Sequence, residues 1–214
     1  TNSYRIFGTP IEDGFLNVTT FIIKSDELLR IAHSYGVTLT ALLGAVFLKA
    51  GINLQNSEVP ILKKRKLVKV LIPCDLRKLY GSKTLRNFAL YSTPGVDPRL
   101  GEYTVDELAH IVSHTMHLDI TKKNMSARIY TNVKDEENIL LKLTPLFIKN
   151  LVMKMVFYSV GEKKSMLSVS NLGNCRLPAE MQEYVDRLDF ILGVQHDAPY
   201  NAGVVSYKGN LYMN

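Results

Sequence analysis

Apolar positions along the chain change spacing repeatedly, and the spacing predicts alternating strands and helices. Phe15 to Ile23 is rich in β-branched and aromatic residues and reads as a strand. Ser25-Asp26-Glu27 supplies an N-cap with an acidic first turn, and Gly36 a stop, which brackets a helix near 26–35. Thr38 caps a second, largely apolar helix running to about residue 52. Leu67 to Pro73 is almost continuously apolar, the pattern of a central strand covered on both faces. Asn87 to Thr93 is a further strand candidate, and Thr104-x-x-Glu107 is a capping box opening a helix. Thr144-Pro145 predicts another helix start, with the helix reaching about Ser159. Strands are expected near 165–171, 186–194, 202–207 and 211–214, the last two joined by the turn Lys208-Gly209-Asn210.

No repeat and no Gly/Pro/Ser linker divides this pattern. It predicts a single α/β domain over residues 1–214, a mixed β-sheet with flanking helices. The length of 214 residues and 46% hydrophobic content are ordinary for a globular chain with a real core. No apolar run approaches the ~18 residues of a membrane span; the best is Ala41 to Leu48. Two cysteines, Cys74 and Cys175, are too few for a disulfide framework or a thiolate zinc site. A cytoplasmic protein is the simple expectation. The chain begins without Met and ends inside an expected strand, so it reads as a piece of a longer protein.

A net charge of +6 permits nucleic acid, anionic lipid or phosphorylated ligands and selects none of them. The densest charge run is Lys63-Lys64-Arg65-Lys66. It reads as a solvated loop, a phosphate-binding patch or a nucleic-acid patch, although no aromatics are interleaved for base stacking. His110, His114 and His117 have helical spacing, but the apolar stripe Val105, Leu108, Ala109, Val112 and Met116 puts them on the solvated side. No metal site is expected there. Lys149 and Lys154 interrupt the apolar helix after Pro145; a core helix with snorkelling lysines is the expectation, a membrane-surface helix the alternative. His196-Asp197 reads as a loop pair rather than an acid–base pair, because neighbours on an extended chain point apart.

The polar strand end Ser168-Val169-Ser170-Asn171-Leu172-Gly173 is the most informative stretch. Alternation puts both serines on one face and Val169 on the other. Either Ser170 is a satisfied hydroxyl where the strand turns at Gly173, or it is a donor aimed at a developing oxyanion.

This stretch resembles the "T-I-S-N-L-G" strand of dihydrolipoamide acyltransferase catalytic domains. Ile72-Pro-Cys-Asp-Leu-Arg77, followed by Ser82-Lys-Thr-Leu-Arg-Asn-Phe88, resembles a signature of alcohol O-acetyltransferases. These belong with condensation domains in the chloramphenicol acetyltransferase-like superfamily of coenzyme A-dependent acyltransferases. The resemblance covers roughly residues 15–214 and implies two similar halves with the active site between them. It also implies that acetyl-CoA or another acyl-CoA is a cosubstrate rather than a tightly bound cofactor, and that the acceptor is an alcohol or amine. In that family a histidine of H-x-x-x-D-G on the first half acts as base. Here the residues four after His33, His110, His114, His117 and His196 are Val37, His114, Leu118, Thr121 and Tyr200. The chain is therefore expected to be the C-terminal half, without the base and inactive alone. Resemblance implies that Ser170 stabilises the oxyanion and that Asn171 and Gly173 shape its strand end. It implies that Arg77 pairs with an aspartate of the other half and stands unpartnered here. Lys63, Lys64, Arg65 and Lys66 are the expected contacts for coenzyme A phosphates. A condensation-type half acting on carrier-protein thioesters, and a basic nucleic-acid-binding or scaffold module, are the alternatives.

Overall fold

The fold is described from a computed structural model over residues 2–8, 15–137, 145–156, 165–193 and 199–214. In chain order the elements are β1 (Phe21–Lys24), α1 (Ser25–Ser34), α2 (Leu39–Glu58), β2 (Val68–Asp75) and the short helix α3 (Arg77–Tyr80). There follow β3 (Ala89–Ser92), β4 (Gly95–Val96), α4 (Val105–Asp119), α5 (Lys122–Glu137) and α6 (Leu146–Val156). The chain closes with β5 (Leu167–Asn174), the single turn α7 (Ala179–Gln182), β6 (Asn201–Tyr207) and β7 (Asn210–Met213).

Seven strands form one mixed sheet in the order β1-β7-β6-β5-β2-β3, with β4 also paired to β2. The centre is parallel: β2 runs with β5, and β5 with β6. The flanks are antiparallel, because hairpin-like connections supply β3, β4 and β7.

The core lies between one face of this sheet and the helices α1, α2 and α4. Val68, Val70 and Ile72 of β2 point into it, as do Val169 of β5, Val204 of β6 and Leu211 of β7. They meet Leu42, Ala45, Leu48 and Ile52 of α2, and Leu108, Ala109 and Val112 of α4. Two of the expected caps form, but Ser25 is not one: it is the first residue of α1, whose N-cap is Lys24 with no side-chain cap bond. Thr38 accepts from the Ala41 amide, and Thr104 and Glu107 form a reciprocal capping box. Gln55 is 1% exposed, and its amide both donates to the Lys66 carbonyl and accepts from the Lys66 amide, which ties α2 to the entry of β2.

Four further expectations need correction. Only residues 21–24 of the first apolar run form a strand, since β1 is an edge strand and its partner β7 has four residues to offer. β2 is central, but its burial alternates: Lys69 and Leu71 on the far face are half-buried, so the strand is packed fully on one face only. No strand forms over 186–193. Val185, Leu188 and Phe190 instead cross the far face of the sheet and pack on Val205, Tyr207 and Tyr212, a second small apolar cluster. Finally, α6 is not a core helix, because its apolar side chains from Leu146 to Met155 are exposed. The polar helix α5 and the extension of α2 to Glu58 were not foreseen. Thr144, His196 and Asp197 lie outside the described residues.

Candidate active site

Strand β5 carries the polar stretch to the C-terminal end of the parallel centre, where open α/β sheets place their ligands. Leu167 and Val169 are buried on the helix side. Ser168 and Ser170 are half-buried on the far face, as alternation predicts. Ser170 pairs in register with Gly203 of β6, and Ser168 with Leu71 of β2. A Cβ on Gly203 would sit 2.0 Å from the Phe190 carbonyl oxygen. Gly203 is therefore glycine because the crossing segment lies directly on it. Ser170 thus lies beside the strand position that the crossing segment covers. Among the described residues its hydroxyl has no hydrogen-bond partner, so the donor is available to a ligand.

Asn171 and Gly173 do structural work beside it. The Asn171 Oδ1 accepts from the Gly173 amide at 2.8 Å, and its Nδ2 donates to Thr40 Oγ1 at 3.1 Å. Gly173 has φ +77°, where a side chain is strained. The pairing of β5 with β6 shifts register between Asn171 and Asn174. Together these contacts end the strand in a fixed turn and pin it to the first turn of α2. The Ser170 backbone is held one residue before that turn.

Arg77 lies at the same end of the sheet, just past β2. It is not unpartnered. Its Nη1 donates to Asp75 at 2.9 Å, its Nε to the Thr84 carbonyl at 2.8 Å and its Nη2 to the Arg86 carbonyl at 2.7 Å. The Arg77 backbone amide, and then its guanidinium, hold the Asp75 carboxyl below the usual carboxylate range. Arg77 therefore clamps the loop that carries Leu85-Arg86-Asn87-Phe88.

The basic run sits at the other end. Lys63 and Lys64 belong to a 3-10 turn over Leu62–Lys64, ahead of the first residue of β2. The eight residues of β2 separate this turn from Asp75 by about 25 Å at roughly 3.3 Å per residue. The structure does not bring Lys63, Lys64, Arg65 and Lys66 together with Ser170. Arg65 instead lines a cleft of about 290 Å³ with Lys49, Asn53, Arg99 and Tyr103. Its Nε donates to the Val59 carbonyl.

Two features escaped the sequence reading. Gly203 has no local signal, because Phe190, which lies on it, is thirteen residues earlier in the chain. The other is a polar cluster behind β2: Ser92 Oγ donates to Asp119 Oδ2 at 2.5 Å, and Arg128 Nη1 to the Tyr91 carbonyl at 2.6 Å. Cys74 is buried beside it, and burial, with a smaller push from Asp119, raises its thiol to about 11. The histidines of α4 are exposed, with His110 Nε2 3.6 Å from Asp106 and His117 Nδ1 2.7 Å from the Ser113 carbonyl. Among the described residues, no group of three His, Cys, Asp or Glu is placed to hold a metal ion.

No protein-family model and no curated protein sequence matches the chain. Solved structures do. Vinorine synthase superposes with a TM-score of 0.50 over 95% of this chain and 46% of its own, at 10% identity. The TRI3 trichothecene 15-O-acetyltransferase of Fusarium sporotrichioides gives 0.54 over 91% and 41%, also at 10% identity. The chain has the chloramphenicol acetyltransferase-like fold. It spans less than half the length of either structure. At such identity the likeness concerns fold alone, so the chemistry has to be argued from the residues of this chain.

Proposed function

We propose that the chain is the C-terminal half of a coenzyme A-dependent acyltransferase that moves an acetyl or longer acyl group from a thioester to an alcohol or amine. The observation that carries this reading is Ser170, a half-buried hydroxyl without a partner among the described residues, held one residue before a rigid turn at the C-terminal end of the parallel strands. Acyl transfer needs such a donor. As the acceptor oxygen or nitrogen attacks the thioester carbon, the C=O bond becomes single and negative charge collects on oxygen. Ser170 Oγ–H donates to that oxygen. The intermediate then collapses, the C–S bond breaks, and the coenzyme leaves as a thiolate that takes up a proton.

The acceptor must lose its own proton during attack. None of the five histidines is followed at the fourth position by aspartate, so the proposal assigns the base to a partner half outside this chain. The incompletely covered far face of β2 and β5, with Leu71, Ser168 and Ser170, is the surface that half would complete. Arg77 acts as a positioning residue, fixing the loop at the rim through Thr84 and Arg86.

The test is Ser170→Ala in the protein that contains both halves. Loss of one oxyanion donor lowers kcat about 10²- to 10³-fold with little change in KM, because the bond forms fully only in the transition state. Unchanged kcat would remove Ser170 from the chemistry. A change in KM alone would make it a binding residue.

A further inference from the structure

The basic run lies far from Ser170, and it borders a cleft of about 290 Å³, near the lower end for small-molecule sites. Lys49, Asn53 and Asn56 of α2 form one wall, Leu62 and Arg65 a second, and the segment from Pro98 to Tyr103 a third. Lys49 and Arg65 are half-buried. A backbone carbonyl orients each of them: Lys49 Nζ donates to Tyr103 at 2.8 Å, and Arg65 Nε to Val59 at 3.0 Å. Neither cation has an ion-pair partner among the described residues. Three other arginines show the contrast, because Arg77, Arg99 and Arg187 are each paired with an aspartate. The Glu107 carboxylate, whose charge Lys49 stabilises, is bonded to the Thr104 cap.

Half-buried cations are ordinarily paired, since burial without a counter-charge is unfavourable. The Arg65 guanidinium leaves Nη1 and Nη2 without partners among the described residues, and the Lys49 ammonium uses one of its three donors. A guanidinium held by its Nε presents a fixed fork, which matches two oxygens of a phosphate or a carboxylate. Phosphate fits better. The exposed Lys63, Lys64 and Lys66 beside Arg65 also lack ion-pair partners among the described residues, and such a field favours a doubly charged group. Arg99 adds little charge of its own, being bound to Asp97 at 2.6 and 2.8 Å. Glu102, exposed on the third wall, repels a bare anion but accepts from hydroxyl groups. Ile52, Leu62 and Pro98 supply apolar surface for a carbon skeleton.

We propose that this cleft binds a small phosphorylated sugar or polyol, with its phosphate on Arg65 and Lys49 and its hydroxyls on Asn53, Asn56 and Glu102. The site lies at the opposite end of β2 from Ser170 and does not depend on the reaction proposed there.

Calorimetric titration of the 214-residue chain tests this, with ribose 5-phosphate, ribose, inorganic phosphate and coenzyme A as probes. Ribose 5-phosphate is expected to bind with Kd below about 1 mM, roughly tenfold or more tighter than inorganic phosphate, and ribose not measurably. Arg65→Gln should weaken binding about tenfold or more, as for the loss of a charged hydrogen-bonded pair. Asn53→Trp, at an exposed position, fills the cleft without removing either cation and should abolish binding. Thermal melts of both variants check that each is folded. The wild-type comparison of ribose 5-phosphate with ribose needs no variant at all. Failure of ribose 5-phosphate to bind overturns the proposal, as does binding that both folded variants leave intact. Inorganic phosphate binding as tightly as ribose 5-phosphate would leave no sugar site, and overturns it too. Displacement of ribose 5-phosphate by coenzyme A at equal or tighter affinity also overturns it, by assigning the cleft to the acyl donor.

Discussion

Gly203→Ala is the sharpest structural test of the site. An added Cβ would lie 2.0 Å from the Phe190 carbonyl oxygen, 2.9 Å from the Phe190 carbonyl carbon and 3.1 Å from Phe190 Cδ1. Close carbon–oxygen contacts in proteins begin at about 3.3 Å, so the backbone at 190 must withdraw by roughly 1.3 Å. It is poorly placed to do so. Arg187 and Asp189 are joined by two bonds of 2.7 Å, Leu188 packs under the same cluster, and Asn201 Nδ2 holds the Gly193 carbonyl at 2.9 Å. A clash with anchored backbone belongs at the upper end of overpacking costs, about 3 kcal/mol. Urea denaturation should show the midpoint falling by about 1 M, for a slope near 3 kcal/mol per M. Gly193→Ala is the control, because its Cβ would meet nothing within 4 Å, and it should be close to neutral. Ser170 is the register partner of Gly203, so Gly203→Ala should also disturb any reaction at that serine. A loss below about 0.5 kcal/mol would refute the reasoning, because it would mean that the 188–193 segment does not lie on β6.

Gln55→Leu should cost about 2–4 kcal/mol in the same assay, since it strands both backbone groups of Lys66 without partners; a neutral result would contradict the buried amide. Cys175, which is exposed, should react with a thiol reagent at pH 8 in the native state, and buried Cys74 only after unfolding. Raising the Cys74 thiol from 9.0 to about 11 also sets a pH dependence. The unfolded chain loses this proton first, so the contribution is intact below pH 9 and is lost as pH rises toward 11. Cys74→Ala should flatten that part of the alkaline stability curve, and an unchanged slope would assign it elsewhere.

Much of the fold was legible because local and global signals agree. The Thr104 capping box, the Thr38 cap and the apolar run into β2 each specify one element, and each element forms. The polar end of β5 was legible too, since period-two alternation alone puts Ser168 and Ser170 on one face. What failed has a common cause. Residues 186–193 have a strand's composition, but their apolar side chains satisfy themselves on a sheet face instead of in a ladder. The apolar residues of α6 carry no mark that distinguishes a buried face from an exposed one. The distance between Lys63 and Ser170 is a property of strand direction, which composition does not encode. Arg77 found its acidic partner two residues away, where the resemblance had placed one on another half.

The central claim is that Ser170 stabilises the oxyanion of an acyl transfer whose base lies outside this chain. Transfer of labelled acetyl from acetyl-CoA to a panel of alcohols and amines should be measured for three samples: the 214-residue chain alone, the product of its full coding region, and that product with Ser170→Ala. The account predicts no transfer by the first, transfer by the second, and a rate reduced about 10²- to 10³-fold in the third. Transfer by the chain alone, or equal rates with and without the Ser170 hydroxyl, would contradict it.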